Sequence, residues 1–234
     1  MTRRYALAPV LVLLTACLPS LAAAQITGFS DGTFLDADWS VTTETINLGG
    51  TVTGNQVATG GSPGAYRRIV NTLNSAAGQP FSNTVYGFHA RAGATFDPAT
   101  SGPISSIDYS ESSIRLANGV QACGLALKQG GVIYYGPAFL TPTPFNLWVP
   151  TSQTGLAASA FDALAPGVQN PNFTVAGAPI QLGFYRANST SVGGDGSSPT
   201  GGIDNWTVTV HYDGATAVSR TTWGAVKASY RGRR

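Results

Sequence analysis

The chain has 234 residues, of which 10% are charged and 43% hydrophobic, and its formal net charge is +2. The charge is unevenly distributed: residues 25–213 carry eleven acidic and six basic side chains, whereas residues 214–234 carry five basic and no acidic ones. Nucleic-acid-binding domains usually present a basic surface, so the mildly acidic body argues against a nucleic-acid partner.

Residues 1–24 have the pattern of a secretory signal peptide. Two arginines precede an apolar run from Tyr5 to Leu18, and three alanines end the segment at Ala24. We therefore expect an exported protein, periplasmic, on the outer surface or secreted, with no transmembrane segment after processing. The segment Leu14–Cys17 also resembles a bacterial lipobox, so lipidation of Cys17 is the alternative to cleavage after Ala24.

Residues 25–213 predict one all-β domain. Short runs of alternating apolar and polar residues recur between glycine and proline turns, which is typical of a sandwich or barrel. Along Thr84–Ala92, aromatic and alanine side chains alternate with His89 and Arg91, so both of these are placed on the polar face. The one helical candidate is Ala157–Leu164. The polar segment Val192–Gly202 predicts a mobile loop.

The segment around residues 120–135 predicts a hairpin. Gly130 and Gly131 separate the alternating run Val120–Lys128 from the apolar run Val132–Tyr135, and the primed turns of hairpins need the positive φ that glycine adopts. Cys123 is the single cysteine that remains after cleavage at Ala24. We expect it to be a buried, inert thiol without a disulfide partner.

Several short segments together resemble exported bacterial domains of the concanavalin A-like, laminin-G-like class. They are Phe29–Phe34, Asp38–Trp39, Ser106–Ser110, Lys128–Tyr134, Pro179–Phe184 and Gly202–Trp206. The resemblance implies a two-sheet antiparallel jelly-roll sandwich over residues 25–213, with the first and last strands adjacent. It does not imply a function, because this class contains lectins, glycosidases and adhesion modules.

Catalysis by a pair of carboxylates is the enzyme hypothesis to consider. One glycosidase family of this fold carries Glu-x-Asp-x-x-Glu, and the segment from Ser106 to Glu111 has that spacing, with Asp108 as the central aspartate. Retaining hydrolysis needs two carboxylates, and serine replaces the nucleophile here. His89 and His211 are isolated and Cys123 is alone, so neither a catalytic triad nor a transition-metal site is indicated. We expect no enzyme activity.

Carbohydrate binding is the function that these residues favour. A set of aromatic and polar side chains provides candidates for contacts with a polysaccharide or a cell-surface glycan: Tyr134, Tyr135, Trp148, Tyr185, His89 and Arg91. Large aromatic residues also fill cores, which is the alternative for each of them. The sequence thus predicts an exported, non-catalytic carbohydrate-binding or surface-interaction module. A structural or adhesion protein that binds no sugar is the alternative.

Asp204 lies in an unusual place in the segment GGIDNWTVTV. Strand alternation puts this carboxylate on the same face as Trp206 and the valines that follow. A buried carboxylate needs partners. We expect it to join the two chain ends, either by accepting backbone N–H groups or by sharing a structural Ca²⁺ with Asp31. No other cofactor is indicated.

Residues 214–234 form a basic C-terminal tail. Trp223, Val226 and Tyr230 recur at the spacing of a helical stripe. Docking to an anionic surface and a solvated tail without a partner are the two alternatives for this segment.

Overall fold

The computed structural model describes residues 24–214, and the predictions for the signal peptide and for most of the basic tail concern residues outside this range. The described chain folds into twelve strands and little helix. The strands are β1 (Ala24–Asp31), β2 (Trp39–Ile46), β3 (Gly50–Gly61), β4 (Gly64–Leu73), β5 (Thr84–Phe96), β6 (Ile104–Ala117), β7 (Ala122–Gln129), β8 (Val132–Tyr135), β9 (Phe139–Leu140), β10 (Val149–Leu156), β11 (Ile180–Ser189) and β12 (Thr200–Asp213).

The strands form two antiparallel sheets that pack face to face. Sheet I has the order β10-β6-β12-β4-β3, with β1 beside the C-terminal part of β12. Sheet II has the order β2-β5-β11-β7-β8, with β9 also paired to β7. The predicted all-β, two-sheet antiparallel jelly-roll sandwich is therefore confirmed, and so is the adjacency of the first and last strands.

The core between the sheets is built around aromatic residues. Trp39 of β2 packs against Phe184 of β11, with ring centroids 5.2 Å apart, and against Trp206 of β12 at 5.3 Å. Trp206 and Phe184 are fully buried. These contacts tie the two sheets together, because Trp206 belongs to sheet I while the other two residues belong to sheet II.

Of three local predictions, the structure confirms the hairpin and shortens the helical candidate and the polar loop. The β7–β8 hairpin is confirmed: Gly130 and Gly131 connect the strands with φ values of +58° and +89°. The helical candidate is reduced to a 3₁₀ turn over Ala158–Ala160. The polar loop is shorter than expected, because β12 begins at Thr200, and its backbone is partly ordered by an antiparallel bridge between Leu73 and Ser197.

Within residues 24–214, no helix is long and apolar enough to cross a membrane. The helices there are α1 (Pro98–Ser101) and two 3₁₀ turns.

Candidate functional site

The outward face of sheet I carries a row of hydroxyl groups that crosses four strands. Ser30 of β1 lies opposite Thr207 of β12, Thr207 lies opposite Ser110 of β6, and Ser110 lies opposite Ser152 of β10. Neighbouring strands are about 4.8 Å apart, so the row spaces its hydroxyls regularly across the sheet. The alternation of β6 and β12 produces this face, because the residues between these polar positions point into the core.

A groove follows this face along β6, between β10 and β12. One part is a hollow of about 360 Å³, lined by Ser110, Ser112, Pro150, Ser152 and Asn205 among others. A second hollow of about 210 Å³ continues it past Asp108, Ser152, Thr154, Thr207 and Thr209. We call these residues together the hydroxyl groove. From Asp108 to Ser112 it follows about 14 Å of strand, at roughly 3.4 Å per residue.

An aromatic pair stands at one end of the hydroxyl groove. Trp148 comes two residues before Pro150, and its indole N–H donates to the Gly60 carbonyl over 2.9 Å. Its ring packs edge-on against Tyr66, with centroids 5.4 Å apart. Tyr66 lies on the outward face of β4, since the next residue, Arg67, is buried in the core. Both aromatic rings are partly exposed.

An acid–imidazole pair marks the other end of the hydroxyl groove. The Nε2 atom of His211 lies 2.7 Å from an oxygen of Asp108, and the Gly155 N–H donates to the other oxygen over 2.7 Å. Partial burial acts to raise the pKa of Asp108, but the Gly155 and His211 contacts outweigh it and lower this pKa. The carboxylate is therefore ionised at neutral pH and is one-third exposed.

The candidate carboxylates of the glycosidase pattern point to opposite faces of β6. Asp108 faces outward, whereas Glu111 faces the core and is 2% exposed. Both Glu111 oxygens accept from the guanidinium of Arg186, at 2.7 and 3.1 Å, and the Tyr109 hydroxyl also donates to Glu111. Burial raises the pKa of Glu111, and the charge of Arg186 opposes that shift most strongly. The Glu111 carboxylate is thus held between the sheets by Arg186, although Glu111 is also among the residues that line the first hollow.

Two of the predicted ligand-binding tyrosines meet on the opposite side of the sandwich. Tyr135 and Tyr185 lie on the outward face of sheet II, 5.2 Å apart, and Tyr86 joins them at 4.9 Å from Tyr135. We call these three residues the tyrosine cluster. The Tyr135 hydroxyl donates to Glu44 over 2.7 Å and that of Tyr185 to the Gly136 carbonyl over 3.1 Å. Burial raises the pKa of both phenols. Only Tyr86 of the three is more than slightly exposed.

The remaining predicted residues are dispersed. Tyr134 is buried in the core, on the opposite side of its strand from Tyr135. His89 is fully buried as well, stacked on Phe184 at 4.5 Å, and burial holds its pKa well below the usual range. The prediction that His89 lies on a polar face is wrong, because the outward side of β5 is the one that carries Tyr86 and Phe88. No ligand reaches His89 while the sheets are closed.

Arg91 lies at the edge of the sandwich. Its guanidinium contacts Asp31 at 3.1 Å and Asp38 at 3.2 Å, and it lies over the ring of Trp39 at 5.9 Å. Cys123 is buried with its pKa raised to about 12 by burial, as expected for an inert thiol.

Asp204 does not share a face with Trp206, which corrects the alternation taken from the sequence. A bulge between Asp204 and Thr207 interrupts the pairing with β6, and Asn205 has a φ of +52°. The carboxylate of Asp204 accepts the backbone N–H groups of Ser62 and Asn205, at 2.5 and 2.6 Å. It thereby fastens β12 to the β3–β4 turn, while the chain ends are joined by the β1–β12 ladder.

Asp31 has partners of its own. Its carboxylate accepts the backbone N–H groups of Thr33 and Phe34, the hydroxyl of Thr33 and the indole N–H of Trp39. Among residues 24–214, no group of three or more metal-ligating side chains is arranged around a common point. A shared Ca²⁺ between Asp31 and Asp204 stays a prediction.

Replacing Asp204 with alanine separates the two alternatives for this carboxylate. We expect Asp204→Ala to lower the free energy of unfolding by about 1–2 kcal/mol, because two partly buried N–H groups lose their acceptor. Asp204→Asn, which keeps an acceptor oxygen, should lose less. Thermal unfolding with and without EDTA is the measurement. If EDTA lowers the Tm of the unmodified protein but not that of Asp204→Ala, the calcium alternative is correct.

No protein-family model matches this chain, and no curated protein matches it. Several solved structures are similar in fold. A family 11 carbohydrate-binding module from Clostridium thermocellum, in complex with a β-1,3-1,4-mixed-linked tetrasaccharide, is 12% identical over 77% of this chain and 94% of that one, with a TM-score of 0.46. The CBM22-1 xylan-binding domain from Paenibacillus barcinonensis Xyn10C is 10% identical over 83% and 98%, with a TM-score of 0.39. Similarity at this level is too low to transfer a ligand.

Proposed function

We propose that this chain is a non-catalytic carbohydrate-binding module and that its ligand lies in the hydroxyl groove. The observation that carries the proposal is a long concavity lined largely by serine and threonine residues, with an aromatic pair near its end. Carbohydrates present hydroxyl groups that both donate and accept hydrogen bonds, together with apolar C–H faces that pack on aromatic rings. Serine and threonine hydroxyls also donate and accept, so the lining of the groove matches such a ligand.

The direction of the groove favours an extended chain over a single sugar. The concavity follows β6 past Asp108, Ser110 and Ser112 as far as Pro150, which lies two residues after Trp148 in the chain. A ligand in it lies parallel to the strands and passes several rows of hydroxyls before it meets the aromatic pair. This arrangement suits a short stretch of polysaccharide.

The absence of catalysis in this proposal is supported by the position of Glu111. A glycosidase needs two carboxyl groups that flank the scissile bond. Of the two in the matching segment, Asp108 faces the groove and Glu111 is held in the core by Arg186. The glycosidase alternative predicts that the protein releases reducing sugar from β-glucans and that Glu111→Gln abolishes this release.

Blocking the groove tests the proposal. We expect Ser152→Tyr to reduce affinity for a bound polysaccharide at least tenfold, about 1.4 kcal/mol, because the new ring fills the space between β10 and β6. Trp148→Ala should have a similar effect through loss of the aromatic platform. Ligands are first selected on a glycan array, and affinities are then measured by calorimetry on the full chain.

The matched control is Ser40→Tyr, the same substitution at an exposed position of β2 in sheet II. It should leave binding unchanged. If no glycan binds, or if Ser152→Tyr and Ser40→Tyr bind equally well, the groove is not a carbohydrate site.

A surface-interaction role without sugar binding is the second candidate, and a different feature favours it. The connection between β9 and β10 exposes Phe145 and Leu147, which are 52% and 50% accessible, and Leu140, the last residue of β9, is 63% accessible. Arg115 lies 4.0 Å above the ring of Phe145. Exposed apolar side chains grouped on one loop are typical of contacts with another protein.

A further inference from the structure

Asp108 is the ionised side chain that the hydroxyl groove presents to a ligand. Among the residues that line its two hollows, Asp108 and Glu111 are acidic, and none is a lysine or an arginine. The charge of Glu111 is matched in the core by Arg186. The Asp108 side chain is 34% exposed on the outward face of β6. No lysine or arginine of the lining therefore offsets the negative charge of Asp108.

A bulge in β10 helps to hold the Asp108 carboxylate. The register between β10 and β6 shifts between Gln153 and Leu156, and Gly155 takes a φ of +68°. The Gly155 N–H donates to one carboxylate oxygen over 2.7 Å, and the Nε2 atom of His211 lies 2.7 Å from the other. A carboxylate oxygen has two acceptor positions, so each oxygen of Asp108 can accept one more hydrogen bond. Two neighbouring hydroxyl groups of a sugar are suitable donors.

The acid–imidazole pair has no protonation state at neutral pH that attracts an anion. With a neutral imidazole the pair of Asp108 and His211 carries one negative charge, and with a protonated imidazole its charges cancel. The other lining residues, Glu111 apart, are uncharged serines, threonines, a proline, an asparagine and a tyrosine. A carboxylate or sulfate group in the groove would thus meet hydroxyl donors but no positively charged lining residue.

Arg68 is a basic side chain on the outward face of sheet I, but it lies to the side of the groove. Arg68 of β4 pairs with Gly202 of β12, which pairs with Ile114, two residues beyond Ser112 on β6. Two strand spacings separate the backbones of β4 and β6, about 10 Å. That is close to the Debye length at 0.1 M ionic strength, so salt screens much of the attraction between Arg68 and an anion over β6. Arg68 therefore does not offset Asp108.

We infer that Asp108 determines the ligand class of the hydroxyl groove: it selects polysaccharides that carry neither carboxylate nor sulfate groups. Its two oxygens accept hydrogen bonds from hydroxyl groups of an uncharged chain. An acidic chain brings a like charge close to Asp108 with no cation to compensate for it. This inference rests on the proposed function, because it requires the ligand to lie in the groove.

Matched polysaccharides with and without charge test this selection. The full chain is titrated at low salt with two uncharged probes, hydroxyethyl cellulose and dextran, and with carboxymethyl cellulose and dextran sulfate, which have the same backbones and carry acidic groups. Glycans that bind on the array join these probes, and loss of binding in Ser152→Tyr identifies binding in the groove. We expect the acidic member of a pair to bind there more weakly by a factor of about five or more, the effect of two like charges about 4 Å apart in water.

Two variants identify Asp108 as the source of the selection. Asp108→Asn keeps an acceptor for the Gly155 N–H but removes the charge, so acidic and uncharged members of a pair should bind within about twofold of each other. Asp195→Asn is the matched control, because it removes the same charge from an exposed position in the connection between β11 and β12. It should keep the full difference between the two members.

Failure of this inference is distinguishable from failure of the proposed function. An acidic polysaccharide that binds as tightly as its uncharged counterpart, and that loses binding in Ser152→Tyr, overturns the inference but leaves the groove as a carbohydrate site. An unchanged preference in Asp108→Asn overturns the inference as well. If no glycan binds, or if no binding depends on Ser152, the proposed function fails and this inference fails with it.

Discussion

Replacing Arg186 with methionine is expected to lower the free energy of unfolding by about 3–5 kcal/mol, because it leaves the Glu111 carboxylate buried without a counter-charge. Both side chains are fully buried, and the guanidinium contacts both carboxylate oxygens. Methionine keeps much of the apolar contact that the arginine stem makes, so the loss is mainly electrostatic. Urea denaturation at neutral pH measures it.

Two further variants make this result specific. Arg68→Met carries the same change at an exposed position of β4 and should cost no more than about 0.5 kcal/mol. The double variant Glu111→Leu/Arg186→Met removes both charges and should regain at least half of the lost stability, because a buried ion pair replaced by apolar side chains is often close to neutral. A loss below about 1 kcal/mol in Arg186→Met would contradict the buried-pair account.

The pH dependence of Arg186→Met follows from the direction of the Glu111 shift. Burial raises the pKa of Glu111, and Arg186→Met removes the main opposing charge. The folded state then holds its proton more tightly than the unfolded state does. The deficit of the variant relative to the unmodified protein should therefore be smallest below the unfolded glutamate pKa, about 4.3, and grow as the pH rises above it.

Replacing Asp31 with alanine is the second large effect, with an expected loss of about 3 kcal/mol in the free energy of unfolding. Its carboxylate accepts hydrogen bonds from the backbone N–H groups of Thr33 and Phe34 and from the Trp39 indole N–H. It also forms an ion pair with the Arg91 guanidinium. The three N–H groups lose their acceptor together, whereas Arg91 keeps its contact with Asp38. Because Trp39 links the two sheets, the loss should reach the whole sandwich, and denaturation should remain a single cooperative transition.

Asp38→Ala is the matched control for Asp31→Ala, since Asp38 contacts the same arginine at 3.2 Å but is 34% exposed. An exposed pair of this kind is worth at most about 1 kcal/mol.

The stabilisation by Asp31 also depends on pH. Burial acts to raise the pKa of Asp31, but the hydrogen bonds from Phe34, Thr33 and Trp39 lower it overall. Its stabilisation should therefore be complete above the unfolded aspartate pKa of about 3.9 and be lost as the pH falls through the folded value. Equal losses in the two variants would contradict the role of Asp31.

The sequence predicted the fold well where local patterns decide it. The Gly130–Gly131 turn, the alternating strands and the pairing of the chain ends all follow from periodicity, turn chemistry and the resemblance. The exceptions are places where tertiary contacts override the pattern. The sequence placed His89 on the outward face because histidine is polar. In the structure the tyrosine cluster occupies the outward face of sheet II, and His89 is buried on the other face. The sequence placed Asp204 on the same face as Trp206, because alternation alone does not reveal the bulge between Asp204 and Thr207.

The candidate site was much harder to predict. Ser30, Ser110, Ser152 and Thr207 form one row only after β1, β6, β10 and β12 are placed side by side, and nothing local in the sequence indicates that register. The alternating hydroxyls of β6 and β12 were a visible signal, but such residues also occur on ordinary solvated strands. The aromatic candidates are a poor guide to this site: of them, only Trp148 is a near chain neighbour of a lining residue, Pro150.

The position of the bound polysaccharide tests the central claim most directly. Amide chemical-shift mapping of the full chain, titrated with a glycan selected on the array, gives this position. The account predicts shifts concentrated at Asp108, Ser110, Ser112, Ser152 and Thr207, with Trp148 at one end. Shifts concentrated instead at the tyrosine cluster on sheet II, or no shift with any glycan, would contradict it.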